Sequence, residues 1–294
     1  MRLAFWKARP KPGRHHAAPG PAMTDPAGDG ATPLRYSAPA TVEELVALLA
    51  DDRDATLIAG GQSLLLPLLA GDAAATHLVD VRNVERLRAI EIGEDEIFIG
   101  AGNCFSDLLR GPVAALLPAF AEALRHVGTT TVRNRATLGG SLAWADPRAE
   151  APMVLMLHGA TVRTDRRAIP MAALPVGPFK TRLARDEVIL GVAVPRHPDP
   201  AAIRFAELLD RHSAGKAVVS VAVRPAGDAI DFAIAGLLDR PVTATAPVAS
   251  LDRSLSEIER HHRPLEDPFH SYRYRREMVL VLLRRALAAS IEGR

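Results

Sequence analysis

The chain has 294 residues, 48% of them hydrophobic, and a formal net charge of +2 at pH 7. Because the charge is nearly balanced and no basic stripe is interleaved with aromatic residues, the composition gives no electrostatic case for a nucleic-acid partner. The single cysteine excludes an internal disulfide framework, and it is too few for a thiolate-ligated iron–sulfur cluster or a cysteine zinc site within this chain.

The first predicted elements alternate between helix and strand. Thr41, with Glu44 three residues later, is a capping-box signature at the start of an amphipathic helix. Short strands are predicted at residues 56–61 and 76–81, and the first of them ends in two glycines. The two alternating runs of residues 87–102 surround a Gly-Glu-Asp turn and predict a hairpin.

The middle of the chain is richer in apolar residues. An apolar helix is predicted over residues 116–127, and residues 131–147, TVRNRATLGGSLAWADP, are predicted to form a loop. A short apolar helix is expected after Pro152. Residues 160–164 and 186–195 then read as strands, the second closed by a proline.

A break in periodicity separates the last third of the chain. The run PRHPDP at residues 195–200 marks a domain boundary. Three strands of an antiparallel sheet are predicted beyond it, at residues 203–208, 217–224 and 230–236. Two helices follow, the last beginning at Asp267-Pro268 as N-cap and first helical residue.

These elements predict an α+β fold of two domains. Residues 33–197 form the first domain and residues 200–290 the second. Ahead of them, residues 1–32 are rich in proline, glycine and alanine, so we predict a disordered extension there.

Two glycine pairs are the main candidates for a binding site. Adjacent glycines allow positive φ and a close approach of the backbone to a ligand, and successive N–H groups in such a turn form an anion-binding concavity. Residues 60–63 and 137–141 each combine a glycine pair with hydroxyl or amide side chains. Neither segment matches the Rossmann fingerprint or the P-loop, and one such loop alone is most often only a turn. Together they predict a phosphate-containing ligand.

The order and flanks of these segments carry a family resemblance. LIAGGQSLLLPLL followed by VRNRATLGGSLAWADPRAE resembles the flavin subunit of the molybdenum hydroxylases, such as the carbon monoxide dehydrogenase medium chain and the FAD domain of xanthine dehydrogenase. The resemblance spans residues 33–289. It implies a two-sub-domain FAD-binding domain of PCMH type at residues 33–197. It also implies a smaller C-terminal α+β domain at residues 200–290, with a three-stranded antiparallel sheet and helices.

The resemblance also implies which residues bind FAD, and it implies no catalytic residue and no metal ligand on this chain. The first segment matches the one around the pyrophosphate, and the second matches one whose backbone N–H groups and hydroxyls contact phosphate and ribityl. Glu150 replaces a usual Asp that bonds the cofactor chain, and Ile189 matches an apolar position near the isoalloxazine. The implied set is Leu57, Ile58, Ala59, Gly60, Gly61, Gln62, Ser63, Leu64, Gly128, Thr137, Leu138, Gly139, Gly140, Ser141, Glu150 and Ile189.

Other residues have open interpretations. Arg133 and Arg135 either pair within the structure or lie near the cofactor. Cys104 is expected to be a buried, inert thiol. At residue 207 a Glu replaces the usual Lys of the family. The arginines of the last helix are predicted to form a solvated face, with a subunit contact as the alternative: Arg273, Arg275, Arg276, Arg284 and Arg285.

The function that the resemblance implies is that of an oxidoreductase subunit. This chain would carry FAD and pass electrons from a [2Fe-2S] small subunit to an external acceptor, while a large subunit binds molybdopterin, in a dimer of heterotrimers. A cytoplasmic location is expected, and no apolar run reaches the roughly 18 residues of a membrane span. Two alternatives stay open: a stand-alone PCMH-type flavoprotein oxidoreductase, and a cofactor-less binding protein of the same fold.

Overall fold

The computed structural model describes residues 34–71, 75–197, 199–210 and 216–292, and the extension predicted at residues 1–32 lies outside them. The chain begins with a small three-stranded parallel sheet. Its elements are β1 Arg35–Ser37, α1 Val42–Asp51, β2 Ala55–Ile58, α2 Leu65–Leu69 and β3 His77–Asp80, and the strand order is β1-β3-β2. As predicted, the Thr41 hydroxyl caps α1 by accepting from the Glu44 N–H. The Glu44 carboxylate accepts from the N–H of Ala40.

A five-stranded antiparallel sheet forms the second unit, together with six helices. The predicted hairpin is present as β4 Ile90–Ile92 and β5 Glu96–Gly100. The remaining elements are α3 Phe105–Arg110, α4 Val113–Leu116, α5 Pro118–His126, α6 Thr130–Arg133, α7 Leu138–Trp144, α8 Glu150–Leu157, β6 Thr161–Thr164, β7 Ala168–Pro170, β8 Pro175–Gly177, β9 Lys180–Thr181 and β10 Ile189–Pro195. The strand order is β4-β5-β10-β6-β7, while β8 and β9 form a separate hairpin.

The loop predicted over residues 131–147 was wrong, because this segment contains α6 and α7. Gly139 and Gly140 lie in the first turn of α7 and do not adopt positive φ. The Thr137 side chain caps this turn by accepting from the N–H of Gly140 at 3.1 Å. In the first glycine segment, by contrast, Gly61 has φ +73°, as the loop interpretation requires.

The C-terminal sheet has four antiparallel strands, so the predicted three-stranded sheet was wrong in number. Its strands are β11 Arg204–Leu209, β12 Ala217–Ala226, β13 Ala229–Ala235 and β14 Val242–Pro247, in that order. The helices α9 Leu251–Glu259 and α10 Tyr272–Glu292 follow. The last helix begins later than predicted. Asp267 instead closes a turn, in which it accepts from the N–H groups of Phe269 and His270.

The C-terminal sheet is covered by helices on both faces. Val219, Val221 and Val223 of β12 face the core formed with α9 and α10. The intervening residues of β12 face the other way, where Ala222 joins the larger core that contains α8. Since α8 is apolar on all sides and almost wholly buried, it packs against α5 and α7 as well as against the C-terminal sheet.

Two arginines of α10 are not on a solvated face. Arg275 is only 1% exposed and donates to the backbone carbonyls of Gly236 and Leu265. Arg276 pairs with Asp252 and Glu259. The other three, Arg273, Arg284 and Arg285, are exposed, as predicted. Within the described residues, no helix is both long and apolar enough to cross a membrane.

Candidate functional site

A cavity of about 870 Å³ lies where the parallel sheet, α6 to α8 and the start of β12 meet. Its wall includes every expected site residue except Leu138, which is fully buried in the core. The structure therefore brings together residues from four separate parts of the sequence: 57–64, 128, 137–150 and 189.

Four consecutive backbone N–H groups of the first segment are available to bind an anion. Within the described residues, the N–H groups of Gly61, Gln62, Ser63 and Leu64 have no hydrogen-bond acceptor. The positive φ of Gly61 turns the chain there, and the segment lines the cavity. Successive free N–H groups at such a turn form a concavity that suits phosphate oxygens.

Residue 60 must be glycine because the two segments are in contact there. A Cβ atom on this residue would lie 1.9 Å from the carbonyl oxygen of Arg135, which precedes α7. The Arg135 side chain also donates from Nε to the carbonyl oxygen of Gly60 at 3.4 Å. The sequence predicts that the backbone of the glycine pair approaches a ligand closely. At Gly60 the backbone instead approaches the chain just before α7. This contact fixes the position of the four N–H groups that follow.

The backbone donors of the second segment are already engaged. Leu138 donates to the carbonyl of Asn103 and Gly139 to that of Ala101, at 3.0 and 2.8 Å. The N–H groups of Gly140 and Ser141 bond the hydroxyl and carbonyl of Thr137. The Ser141 hydroxyl makes no bond within the described residues, so hydroxyls rather than N–H groups are the donors that this segment presents to the cavity.

The arginines of the RNR motif bind the backbone around the cavity. Arg133 donates from Nη1 to the carbonyls of Val127 and Gly128, at 3.0 and 2.9 Å. Gly128 has φ +49° and lines the cavity, whereas neither Arg133 nor Arg135 does. The structure therefore favours internal pairing, which was one of the two interpretations left open.

Glu150 lies on the cavity wall, and the pKa of its carboxyl is unusually high. Burial, together with the carboxylates of Glu207 and Asp146, raises the pKa of this carboxyl to about 7, against the opposing effects of its own N–H and of His126. At neutral pH the group is therefore divided between its protonated and charged forms, so it can both donate and accept a hydrogen bond.

We expect Glu150→Gln to stabilise the ligand-free chain in alkaline solution. The folded pKa of about 7 lies above the ordinary value of 4.5, so Glu150 lowers the free energy of unfolding progressively as the pH rises between these values. The variant should be indistinguishable from wild type below this range and more stable by about 3 kcal/mol above it. Urea unfolding at about pH 4.5 and about pH 8 measures the difference.

Glu187→Gln is the matched control for this prediction. The Arg167 guanidinium lowers the pKa of Glu187 to about 2. Its stabilising contribution is present above the ordinary value of 4.5 and is lost as the pH falls toward 2, so this variant should be destabilised at pH 8. If both variants shift stability in the same direction at pH 8, the assignment of a raised pKa to Glu150 is wrong.

The cavity wall also contains residues outside the expected set, among them Arg148, Trp144 and Lys216. Arg148 donates to Asp267 at 2.6 Å and so connects the cavity wall to the C-terminal part of the chain. The ring of Trp144 lies 5.7 Å from that of Phe179 in an edge-on arrangement. Lys216 lines the cavity at the start of β12. Only the position of Trp144 and Arg148 beside the second glycine segment could have signalled them.

Comparisons with known proteins find a matching family model and several relatives. The family model described as the FAD binding domain in molybdopterin dehydrogenase matches residues 32–197. The carbon monoxide dehydrogenase medium chain of Hydrogenophaga pseudoflava is 30% identical over 87% of this chain and 96% of its own length. The nicotine 6-hydroxylase medium subunit of Paenarthrobacter nicotinovorans is 39% identical, over 56% of this chain and 60% of that protein, so this match spans less than two thirds of the relative.

The solved structure of quinoline 2-oxidoreductase from Pseudomonas putida 86 is similar across most of the chain. It aligns with a TM-score of 0.78 and 29% identity, over 88% of this chain and 97% of that one. The alignment extends well beyond residues 32–197 and therefore includes the C-terminal sheet region.

Proposed function

The chain belongs to the family of FAD-binding domains of molybdopterin dehydrogenases, and from this premise we propose that it is the FAD-binding medium subunit of a multi-subunit molybdenum hydroxylase. When bound, FAD supplies the redox chemistry, since it takes electrons from iron–sulfur clusters on a partner chain and passes them to an external acceptor. The observation that carries the proposal is the row of four free N–H donors at residues 61–64 on the wall of a cofactor-sized cavity.

The residues of the cavity fit FAD. The N–H groups of residues 61–64 would hold the pyrophosphate, because they are adjacent, lie on a turn and have no partner in the part of the chain that the structure describes. The hydroxyls of Thr137 and Ser141 and the carboxyl of Glu150 would bond the polar chain of the cofactor. Ile189 belongs to the apolar wall that would contact the isoalloxazine. The volume of the cavity falls within the range of about 300–1,000 Å³ that is typical of ligand sites.

Partner subunits are part of the proposal. A [2Fe-2S] cluster is held by four cysteine thiolates, and this chain has one cysteine, so the clusters belong on a small subunit and molybdopterin on a large one. Relatives named as medium chains and medium subunits support this division. We further propose a dimer of heterotrimers in the cytoplasm. We also propose domains at residues 33–197 and 200–290. A hydrophobic cluster that lies wholly within the second range supports the boundary, while the larger cluster extends across it to Ala222, Ala233 and Ala235.

We expect FAD to be bound without a covalent link. Cys104 does not line the cavity, burial raises the pKa of its thiol, and its Sγ is directed to the Arg135 carbonyl. Denaturation of the purified chain or its complex should therefore release FAD in a ratio near one per chain, as identified by chromatography of the supernatant. A colourless protein, release of FMN alone, or flavin retained on the precipitated chain would contradict the proposal.

A further inference from the structure

The cavity wall offers one half-buried aromatic side chain to a ligand. Trp144, the last residue of α7, lies on this wall. In the part of the chain that the structure describes, the other aromatic residue of the wall is Phe105, which is 1% exposed and packs into the core. FAD contains two planar ring systems, and a planar ring packs favourably against an indole. Trp144 is therefore the side chain best suited to contact a ring of the cofactor.

Two residues beside Trp144 have a left-handed backbone conformation although neither is glycine. Ala145, which ends α7, has φ +51°, and Phe179 has φ +54°. Among the described residues they are the only ones other than glycine with positive φ. A Cβ atom makes this conformation unfavourable, and such strain persists mainly at ligand sites, where the surroundings enforce it. The N–H of Phe179 donates to the carbonyl of Ala145 at 2.9 Å, so the two strained positions are joined directly.

Phe179 supports the indole of Trp144 from outside the cavity. The centroids of the two rings are 5.7 Å apart and their planes meet at 66°, the edge-on arrangement that aromatic pairs favour. Phe179 is 38% exposed and does not line the cavity, whereas Trp144 does. Trp144 is therefore the member of the pair that a bound ligand reaches, and Phe179 fixes the orientation of its ring.

The position of Trp144 on α7 favours the isoalloxazine over the adenine. Gly60, just before the free donors of residues 61–64, contacts the chain that leads into α7, so the phosphate end of the site lies at the start of this helix. Trp144 follows Ser141 by three residues, which places it on the same face and about 4.5 Å further along the helix. The helix packs against β9 and β10, and β10 begins with Ile189 of the apolar wall. Since the ribityl chain leads from the phosphates to the isoalloxazine, the end of α7 lies on the side of that ring.

We propose that the indole of Trp144 contacts the isoalloxazine ring of bound FAD, with Phe179 as the positioning residue that holds the indole there. The inference rests on the proposed function and adds two residues that the family resemblance does not supply. A contact of this kind has a spectroscopic signature. When light excites the flavin ring, an indole in contact gives it one electron and takes it back, so flavin fluorescence is quenched without net chemistry. A phenylalanine ring is too hard to oxidise to do the same.

Fluorescence of the bound flavin tests the contact in the full chain without turnover. Trp144→Phe keeps an aromatic ring on the wall but removes the indole, so each bound flavin should emit more strongly than in wild type. Trp144→Leu should in addition weaken FAD binding by about 10-fold, as expected for loss of an aromatic ring from a stacked base. Trp6→Phe is the matched control, because it replaces the other tryptophan of the chain, and it should leave the emission unchanged. Wild-type emission in Trp144→Phe would overturn the contact, even with weaker binding in Trp144→Leu, since a contact with the adenine changes affinity alone.

Phe179→Ala tests the positioning role. The indole remains but loses its edge-on neighbour, so the flavin emission should rise and the affinity for FAD should fall by about 2- to 10-fold. Phe269→Ala makes the same change at a residue that is 81% exposed and does not line the cavity, so this variant should behave as wild type. Circular dichroism checks that each variant is folded. Wild-type emission in Phe179→Ala would overturn the role of Phe179, whereas a wild-type chain that binds no FAD would overturn the proposed function instead.

Discussion

We expect Gly60→Ala to abolish FAD binding while the chain remains folded. The added Cβ would lie 1.9 Å from the carbonyl oxygen of Arg135, 2.6 Å from its carbonyl carbon and 3.1 Å from the Cα of Ala136. All three are backbone atoms, so no side-chain rotation can relieve the clash. The two glycine segments must separate, and the free N–H donors of residues 61–64 move with Gly60.

The size of the effect follows from two different costs. Overpacking of this kind destabilises a fold by about 1–3 kcal/mol, which a domain of this size tolerates. Each hydrogen bond to a charged phosphate oxygen contributes about 1.5–3 kcal/mol, so displacement of two of the four donors lowers the affinity for FAD by about 100-fold or more. Bound flavin should therefore be almost absent from the purified variant.

Flavin content, FAD titration and circular dichroism together measure this outcome. Gly177→Ala makes the same chemical change at a site where no atom lies within 4 Å of the new Cβ, so this variant should keep full flavin content. Wild-type occupancy in Gly60→Ala would show that the contact between the segments does not position the site. An equal loss of bound flavin in Gly60→Ala and Gly177→Ala would show that the loss is a general effect of replacing glycine.

The sequence predicted the cavity better than it predicted the local structure of its wall. Residues 57–64 cover the end of β2, whose sequence has a clear β pattern, and the turn after it. Both this turn and the positive φ of Gly61 follow from the glycine pair. The helix α7 was missed because two glycines in seven residues cost roughly 1 kcal/mol each relative to alanine. The turn forms because the carbonyls of Ala101 and Asn103 hold its first N–H groups, and these partners are distant in sequence.

Other errors also arise from long-range contacts. The strand β14 reads VTATAP, in which no large apolar residue alternates with polar ones, so only its pairing with β13 reveals it. Arg275 has the sequence context of an exposed helix, yet its carbonyl acceptors lie 39 and 10 residues away. The bond between His126 and Glu207 spans 81 residues, which no local pattern could predict.

The second large effect concerns reduction of the flavin in the absence of partners. We expect purines, aldehydes, N-heterocycles and carbon monoxide to leave the flavin of the isolated chain oxidised. Hydroxylation in this family takes place at a metal centre. Among the described residues, no group of three or more His, Cys, Asp or Glu is arranged to hold a metal ion. With the cluster and molybdopterin subunits present, the appropriate substrate should reduce the same flavin completely.

The stand-alone flavoenzyme is the alternative that this experiment addresses. Such an enzyme needs a proton donor or acceptor beside the flavin, and Glu150 is a group of that kind on the cavity wall. The structure therefore gives this alternative a physical basis that the sequence did not.

The free N–H donors of residues 61–64 argue against a protein that has lost its cofactor, since they have no acceptor within the described residues.

Anaerobic visible absorbance of the flavin tests the central claim most directly, with the isolated subunit and the reconstituted complex exposed to the same substrates. We predict that the isolated subunit keeps the absorbance of oxidised flavin and that the complex is bleached by its substrate. Dithionite serves as the control that the isolated flavin can be reduced. Rapid bleaching of the isolated subunit by an organic substrate would contradict the assignment of this chain as an electron-transfer subunit.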